Sequence, residues 1–395
     1  MILTPDEGRK LHVLTLLEGK RISVGQAAEA LGVTPRQVRR LRVALRREGP
    51  AGLVHGNRGR RSARRLPDAL RRQIVALARG RYAGLNDHHL TEKLITVEGL
   101  AVSRATVQRV LRAAGLTSPR RRRPPRHRAR RPRKLQAGLL LQLDGSPFAW
   151  FGPTQPPCSL LAAIDDATGA VLAGTFRAQE DAAGYLRLLH TLGRTVGLPA
   201  AVYTDAHGIF VRHDPHWTLA EELQGHQDLT QVGRALQALG IHHIVAQSPQ
   251  AKGRIERLWN TLQDRLPLEL ALAGITTPAA GDAFLAATFL PAFNARFAVP
   301  AAVATSAYRP VPRGCDLERV CAFHYVRQVA LDNTVRVDGV VLQLAPGPHR
   351  RSYARAQADV VQCLDGAWRV YIGDRLITTT PAPPDPGQLR ARKRR

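Results

Sequence analysis

The sequence has few cysteines and no long apolar run. Its four cysteines are scattered along the chain, and no two of them form a C-x-x-C pair. This spacing argues against a zinc knuckle and a disulfide framework, so we expect reduced, partly buried thiols. No stretch of about 18 apolar residues lacks a charge or a helix breaker, so we expect no membrane span. The opening residues, MILTPDEGRKLH, contain early acids and no signal-peptide core, so we expect a cytosolic chain.

Acidic residues are scarce where basic residues are concentrated. Residues 1–135 contain 33 Lys and Arg against nine Asp and Glu, whereas residues 136–312 contain 11 against 14. Residues 313–395 are again basic, with 14 against eight. The formal net charge of +27 therefore comes from the two ends of the chain. A basic arm of this kind is typical of a protein that binds a polyanion. Because helix-turn-helix patterns lie inside the arm, nucleic acid is favoured over a membrane surface.

Residues 1–62 are predicted to form a helix-turn-helix unit. Residues 23–31 favour a short helix that ends at Gly32, and Thr34 followed by Pro35 favours the start of the next helix. In this second helix the apolar residues recur at helical spacing and leave a polar side exposed. Such a helix presents its first residues to the major groove of DNA. The candidate DNA-contacting residues are Arg36, Gln37, Arg39 and Arg40. An ordinary helical hairpin is the alternative.

A second helix-turn-helix unit is predicted for residues 63–119. Residues 66–79 favour an amphipathic helix, and Ser103 favours the start of a later one that Gly115 closes. The candidate DNA-contacting residues of this unit are Arg104, Thr106, Gln108, Arg109 and Arg112. Residues 120–135 follow as a basic linker, with 10 Lys and Arg among residues 120–134. Proline and charge repulsion oppose a helix there, so we expect flexible, salt-dependent contacts with phosphates. The candidates in the linker are Arg120, Arg121, Arg122 and Arg123.

Residues 136–312 change to a pattern in which strands and helices alternate. Short apolar runs predict five strands, and longer amphipathic segments predict the helices between them. The predicted strands are residues 139–143, 159–164, 170–176, 201–204 and 243–246, and the predicted helices are residues 179–196, 229–239 and 250–270. This order predicts a mixed sheet covered by helices. It resembles the α/β ribonuclease-H-like fold.

The last part of the chain alternates apolar and polar residues. Residues 313–380 contain several short strand patterns separated by Asp-Gly and Gly-Asp pairs, which favour hairpin turns. We expect a small β-barrel here. Residues 381–395 are predicted to be a disordered basic tail. The fold class is thus multidomain, with an all-α helix-turn-helix region, an α/β core and a small C-terminal β-barrel.

Three acids in the core occupy the places that two-metal phosphoryl transfer requires. Asp144 ends the first predicted strand, Asp205 ends the fourth, and Glu256 lies on the polar side of the helix after the fifth. Two-metal catalysis needs carboxylates that converge from separate elements on two divalent ions. Carboxylate oxygens suit Mg²⁺ and Mn²⁺. Each acid alone is more typical of a turn or a solvated surface, and the ordered set carries the prediction.

The segments around these acids, LDGSPFAW, YTDAHGIF and SPQAKGRIERLWNTLQDRL, resemble the catalytic motifs of the integrase and transposase superfamily. Within it they are most similar to DDE transposases of ISNCY-type insertion sequences, and the resemblance covers nearly the whole chain. It implies a ribonuclease-H-like integrase core in which Asp144, Asp205 and Glu256 hold two Mg²⁺ or Mn²⁺ ions. It also implies cleavage of the element's DNA ends and joining of the freed 3′-hydroxyls to target DNA.

The chain departs from the compact pattern of retroviral integrases. Asp205 and Glu256 are 51 residues apart, and residues 211–230 form an insertion between strand and helix. His207 replaces a common Asn, and it either contacts the scissile phosphate or a metal-bound water, or fixes the turn. Lys252, Arg254 and Arg257 surround Glu256 with positive charge that suits a DNA backbone. Other acids compete for the site: Asp165 and Asp166 fit a hairpin turn, and Asp264 fits a solvated surface.

Three functions compete at this point. The first is an insertion-sequence transposase that binds double-stranded DNA as a homo-oligomer, in the cytoplasm of a bacterial-type cell at the nucleoid. The second is a sequence-specific DNA-binding regulator with an inactive core, and the presence of all three acids argues against it. The third is a ribonuclease-H-like nuclease, and the two helix-turn-helix patterns argue against it. None of the three needs a small-molecule cofactor.

Overall fold

A computed structural model describes residues 3–58, 65–119, 132–212, 215–246, 253–347, 352–384 and 389. The chain divides into two compact units, Met1–Ala76 and Leu77–Arg395. No helix among the described residues combines the length and the apolar character needed to cross a membrane. All four cysteines are free, and three of them are buried.

The described part of the first unit contains a bundle of three helices: α1 (Pro5–Glu18), α2 (Val24–Leu31) and α3 (Pro35–Glu48). The Ser23 side chain caps α2, and Gly32 ends it with a φ of 63°, a conformation that favours glycine. The Thr34 side chain caps α3 through the backbone N–H of Gln37. The apolar sides of the helices form one core around Leu14, Val38 and other residues. The predicted helix, turn and cap are therefore all present.

Helix α4 (Asp68–Arg79) runs across the division between the two units. Helices α5 (Asp87–Thr96) and α6 (Arg104–Ala113) follow within the second unit. The Asn86 side chain caps α5, and the Ser103 side chain caps α6. Both helices bury apolar residues on one side, so a helical module with the predicted cap at Ser103 is present.

The second unit is built on a mixed sheet of five strands. They are β1 (Leu141–Phe148), β2 (Cys158–Asp165), β3 (Val171–Arg177), β4 (Ala201–Thr204) and β5 (His242–Val245). Their order is β3-β2-β1-β4-β5. Strands β1, β2 and β3 pair antiparallel, whereas β4 pairs parallel with β1 and β5. The mixed sheet predicted from the sequence is confirmed.

Helices cover both faces of this sheet. On one face, α7 (Ala182–Thr195) and α9 (Gln231–Ala238) share a hydrophobic core with Leu161 and Ala163 of β2. On the other face, α10 (Gly253–Leu272), α11 (Pro278–Phe284) and α12 (Leu290–Phe297) share a second hydrophobic core with Leu160, Ala162 and Ile164 of β2. Because β2 contacts a helical layer on each face, all eight of its residues are buried. The short helix α8 (Leu219–Gln224) lies between β4 and α9.

The C-terminal part is not the closed barrel that we expected. After α13 (Leu317–Val320), the strands are β6 (Phe323–Gln328), β7 (Thr334–Val337), β8 (Val340–Gln343), β9 (Gln357–Gln362), β10 (Trp368–Ile372) and β11 (Arg375–Thr379). They form a four-stranded sheet in the order β11-β10-β9-β6 and a separate β7-β8 hairpin. Strands β6 and β11 are therefore opposite edges of an open sheet. Its apolar side chains join the core that also contains α7 and α9, so burial does not require closure.

Helix α5 is attached to α10 by charged and polar side chains. His89 Nε2 lies 2.6 Å from Glu269 Oε1, and Lys93 Nζ donates to Glu269 Oε2 at 2.7 Å. Arg265 forms an ion pair with Glu92 at 2.6 Å. The Asn86 side chain also donates to Asp264. Asp264 is thus part of this contact and is half-buried, so it is less exposed than the sequence indicated.

Candidate functional site

Asp144 does not end its strand, as the sequence suggested, but is the fourth of eight residues in β1. The strand continues because Gly145 to Phe148 keep pairing with β2. Strand β4 pairs only with Leu141 and Gln142 of β1, and Asp205 directly follows β4. Continuing that parallel register by two residues places Asp205 level with Asp144. The two acids therefore lie on adjacent chain segments where the pairing of β1 with β4 ends.

Glu180 lies near both of these acids, and sequence reasoning missed it. We call Asp144, Asp205 and Glu180 together the acidic cleft. A Cβ at Gly145 would lie 2.7 Å from Glu180 Oε2, so the carboxylate occupies the space left by the glycine. Burial raises the pKa of Glu180, the Tyr185 hydroxyl that donates to it lowers the pKa, and the charges of Asp144 and Asp205 raise it further. In the sequence, Glu180 is an acid between β3 and the Asp181 cap of α7, and no motif identifies it as a site residue.

His207 belongs to the turn after β4. Its backbone N–H donates to Asp205 Oδ1 at 3.2 Å, and its Nδ1 accepts from the backbone N–H of Ile209 at 3.2 Å. These bonds support the role of fixing the turn. The charge of His207 also lowers the pKa of Glu180, so the ring lies near the acidic cleft. Contact with the scissile phosphate or a metal-bound water stays a prediction.

Glu256 is exposed in the first turn of α10. One turn later, Trp259 Nε1 donates to Asp144 Oδ2 at 2.8 Å. Another turn on, Gln263 Nε2 donates to Ser146 Oγ at 3.0 Å. These two bonds hold α10 alongside β1, with the acid-bearing end of the helix beside the strand that carries Asp144.

The basic residues around Glu256 have different environments. Arg254 is 14% exposed, and its Nε donates to the buried Asp166 at 2.9 Å. This ion pair stabilises a carboxylate inside the core, a structural role that the sequence reading did not include. Arg257 is exposed, and its Nε donates to the Gly253 carbonyl at 3.0 Å. Lys252 lies outside the described residues.

Asp165 and Asp166 are structural, as the turn interpretation favoured. Asp165 accepts hydrogen bonds from the backbone N–H groups of Gly138 and Thr168, both at 2.8 Å, and from the Tyr308 hydroxyl at 3.0 Å. Asp166 accepts from the backbone N–H of Lys134 and from the Gln142 side chain, as well as from Arg254. Both carboxylates are at most 1% exposed.

The cleft residues suit a divalent cation by their donor chemistry. Asp144, Asp205, Glu180 and Glu256 offer carboxylate oxygens, which Mg²⁺ and Mn²⁺ prefer. Burial raises the pKa of Glu180, and the charges of Asp144 and Asp205 add to this rise, which is consistent with a concentration of negative charge here. Within the described ranges, no three Asp, Glu, His or Cys side chains converge closely enough to form a metal cluster. The site therefore suits a divalent cation by the type of its ligand atoms and by the positions of the backbone segments that carry them.

The candidate DNA-contacting residues of both helical modules are accessible. On α3, Arg36, Gln37, Arg39 and Arg40 are exposed, on the side away from the core. On α6, Arg104, Gln108, Arg109 and Arg112 are exposed and Thr106 is half-buried. Some of the α6 side chains are engaged within the module, since Arg112 pairs with Asp87 at 2.6 Å and Arg104 contacts His88. Arg120, Arg121, Arg122 and Arg123 fall outside the described residues.

Comparisons with known proteins identify similar chains. Residues 9–88 match the winged helix-turn helix family. A protein of Sinorhizobium fredii named as transposase y4bF is 38% identical over 303 residues, which cover 77% of this chain. The match spans 65% of that relative's length. The transposase for insertion sequence IS1202 of Streptococcus pneumoniae is 28% identical, with 95% of this chain and 86% of that protein covered.

Solved structures of viral proteins are also found, at low similarity. The HTLV-2 integrase catalytic core domain in complex with magnesium is 18% identical, with a TM-score of 0.23 over 35% of this chain and 86% of that one. A chain of the simian T-cell lymphotropic virus intasome is 15% identical, with a TM-score of 0.28 over 78% of this chain and 99% of that one.

Proposed function

We propose that this chain, which resembles transposases along most of its length, is the transposase of an insertion sequence. It binds the terminal repeats of its element, cleaves their 3′ ends and transfers them to target DNA. The observation that carries the proposal is the parallel register of β1 and β4, which brings Asp205 level with Asp144. Trp259, one turn after Glu256 on α10, donates to Asp144, and this bond supports Glu256 as the third acid of the set.

The reaction is a pair of phosphoryl transfers at DNA. Asp144, Asp205 and Glu256 are the proposed ligands of two divalent ions. When bound, such ions activate the attacking oxygen and stabilise the leaving one. The Trp259 N–H fixes the orientation of Asp144, and the Tyr185 hydroxyl fixes that of Glu180. Asp144 lies on a strand and Asp205 directly follows one, so the sheet limits the movement of both side chains. Phosphoryl transfer requires acidic groups that are held in place in this way.

DNA is the proposed partner of both helical modules and of the basic linker. The residues proposed to contact it are Arg36, Gln37, Arg39, Arg40, Arg104, Thr106, Gln108, Arg109, Arg120, Arg121, Arg122 and Arg123. Exposed arginines bind phosphates and guanine edges, and such contacts weaken as salt is raised. Because a transposition event joins two DNA ends, we propose a homo-oligomer that assembles on DNA. The proposed auxiliary groups at the cleft are His207, Lys252 and Arg257, whereas Arg254 stabilises the buried Asp166.

The test is cleavage and joining of labelled DNA that carries the element's ends, with Mg²⁺ or Mn²⁺. The parent is compared with Asp205→Asn, which keeps the side-chain shape and removes the charge. Asp374→Asn, at a fully exposed turn residue, is the matched control. We expect the parent and the control to nick at the 3′ ends and form joined products, and Asp205→Asn to bind without doing either.

The same assay separates the competing functions. Binding by the parent without cleavage under either metal indicates a DNA-binding regulator with an inactive core. Cleavage without any joined product indicates a nuclease. Cleavage by Asp205→Asn at the parental rate contradicts the assignment of the metal-binding acids.

A further inference from the structure

The recognition side of α3 contains an apolar residue among arginines. Val43 is 62% exposed, whereas Val38 is fully buried and Leu41 and Leu45 pack against the core. At 100° per residue, Val43 points away from these three residues. It therefore contributes nothing to the core of the first unit.

The arginines on the two sides of α3 differ in their partners. Arg42 and Arg46 point to one side, where both pair with Glu18 of α1, at 2.7 and 2.8 Å. Arg36, Arg39 and Arg40 surround Val43 on the open side, and within the described ranges none of them forms an ion pair. Three cations without an acidic partner in about one and a half turns favour an anionic partner over an apolar protein surface.

The spacing of these residues matches that of a helix lying in a groove. Arg36, Arg39, Arg40 and Val43 follow intervals of three, one and three residues, which place them on one face. Base-contacting residues of a homeodomain recognition helix follow the same intervals. Val43 lies about two and a half turns after the Thr34 cap, at the C-terminal end of this set. A DNA groove that receives the arginines therefore receives the valine as well.

We infer that Val43 reads a thymine through its 5-methyl group in the major groove. Thymine alone among the four bases presents a methyl group there, so an apolar side chain distinguishes it from the other bases. The flanking arginines supply contacts to phosphates and guanine edges, and Val43 adds preference for one position. This inference rests on the proposed DNA binding by α3.

The experiment uses the full chain and two steps. First, in vitro selection from random duplexes defines the sequence that the parent prefers. Second, deoxyuridine replaces each thymine of that duplex in turn, because it keeps the base pair and removes only the methyl group. We expect one position at which this change weakens binding by the parent about fourfold, the effect of one methyl group returned to water. The Val43→Ala variant should bind both duplexes alike.

Val326→Ala is the matched control, since Val326 of β6 is 63% exposed and the substitution is the same. It should retain the parental sensitivity to the methyl group. An unchanged deoxyuridine effect in Val43→Ala, or no sensitive thymine at all, overturns the inference while the DNA binding stands. Loss of self-association without any change in DNA preference assigns Val43 to a protein contact and also overturns it. Absence of any preferred sequence for the parent instead removes the proposed function.

Discussion

Two pairs of aspartates lie on the central sheet, and they have opposite surroundings. Asp165 and Asp166, at the end of β2, receive hydrogen bonds from backbone N–H groups, a tyrosine hydroxyl, an amide and a guanidinium. Asp144 and Asp205, where the pairing of β1 with β4 ends, lie beside a third acid, Glu180. Hydrogen-bond donors and one cation of the protein surround the first pair, whereas the second pair lies beside further negative charge. Burial and sequence alone do not separate a structural acid from a catalytic one, whereas the neighbouring groups do.

The largest expected effect concerns the second pair. We expect Asp144→Asn to reduce strand transfer by about 1,000-fold or more, because one proposed ligand charge is lost. Its thermal unfolding temperature should equal or exceed that of the parent, since repulsion with Glu180 is relieved. Single-turnover joining assays and thermal unfolding measure the two quantities. A large loss of stability with retained joining would make Asp144 equivalent to Asp165.

The opposite result is expected for the first pair. Asp166→Asn leaves Arg254 inside the core without its anionic partner, which should lower the free energy of unfolding by about 3 kcal/mol. Urea denaturation of the full chain measures this change. The folded variant should still cleave DNA. The double variant Asp166→Asn with Arg254→Met should recover part of the stability, and no recovery would contradict the proposed pairing.

A smaller effect is expected for the group that orients Asp144. Trp259→Phe removes the N–H donor and keeps most of the ring, so joining should fall by roughly 10- to 100-fold, as for groups that orient metal ligands. The loss should shrink at high Mn²⁺ concentration, because affinity for the ion is what the donor improves. If the joining activity of the variant depends on Mn²⁺ concentration as that of the parent does, Trp259 only packs against its neighbours and does not orient Asp144.

The smallest effect concerns the pH dependence of stability. The pKa of Glu180 is raised above 4.5 in the folded chain, so the folded state binds the proton more tightly than the unfolded state. Its contribution to stability is therefore present below pH 4.5 and is lost as the pH rises through the folded pKa. In a chelator, Glu180→Gln should remove this loss and unfold at a higher temperature than the parent near neutral pH. Parallel pH profiles for both proteins would contradict the acidic cleft.

The local sequence was sufficient to predict a strand and its site residue where a motif directly follows the strand. Strand β4 was placed at its observed bounds, and Asp205 follows it as expected. Strand β1 was ended too early because Gly145 and Pro147 resemble turn residues. Proline is tolerated at that point, since β1 has lost β4 as a neighbour there and one N–H is no longer needed.

The remaining differences came from contacts between distant segments. Glu180 enters the cleft only because Gly145 leaves room for it on another strand, which no local pattern reveals. The alternating C-terminal pattern predicted strands, and the hairpin at Asp338-Gly339 is present with φ values of 44° and 83°. The same pattern was consistent with a barrel and with an open sheet. The choice between them depends on which edges pair, and β6 and β11 do not.

Because α5 is attached to α10, the long helix fixes the distance between the second helical module and Glu256. Glu256 lies at its first turn, and Arg265, which holds Glu92 of α5, lies nine positions later. At 1.5 Å per residue this interval is about 14 Å. It equals the rise of about four base pairs of duplex. DNA bound to the second helical module would thus lie at a fixed distance from the acidic cleft. The length of α10 between Arg265 and Glu256 would then set the distance between the bound repeat and the cleaved phosphate.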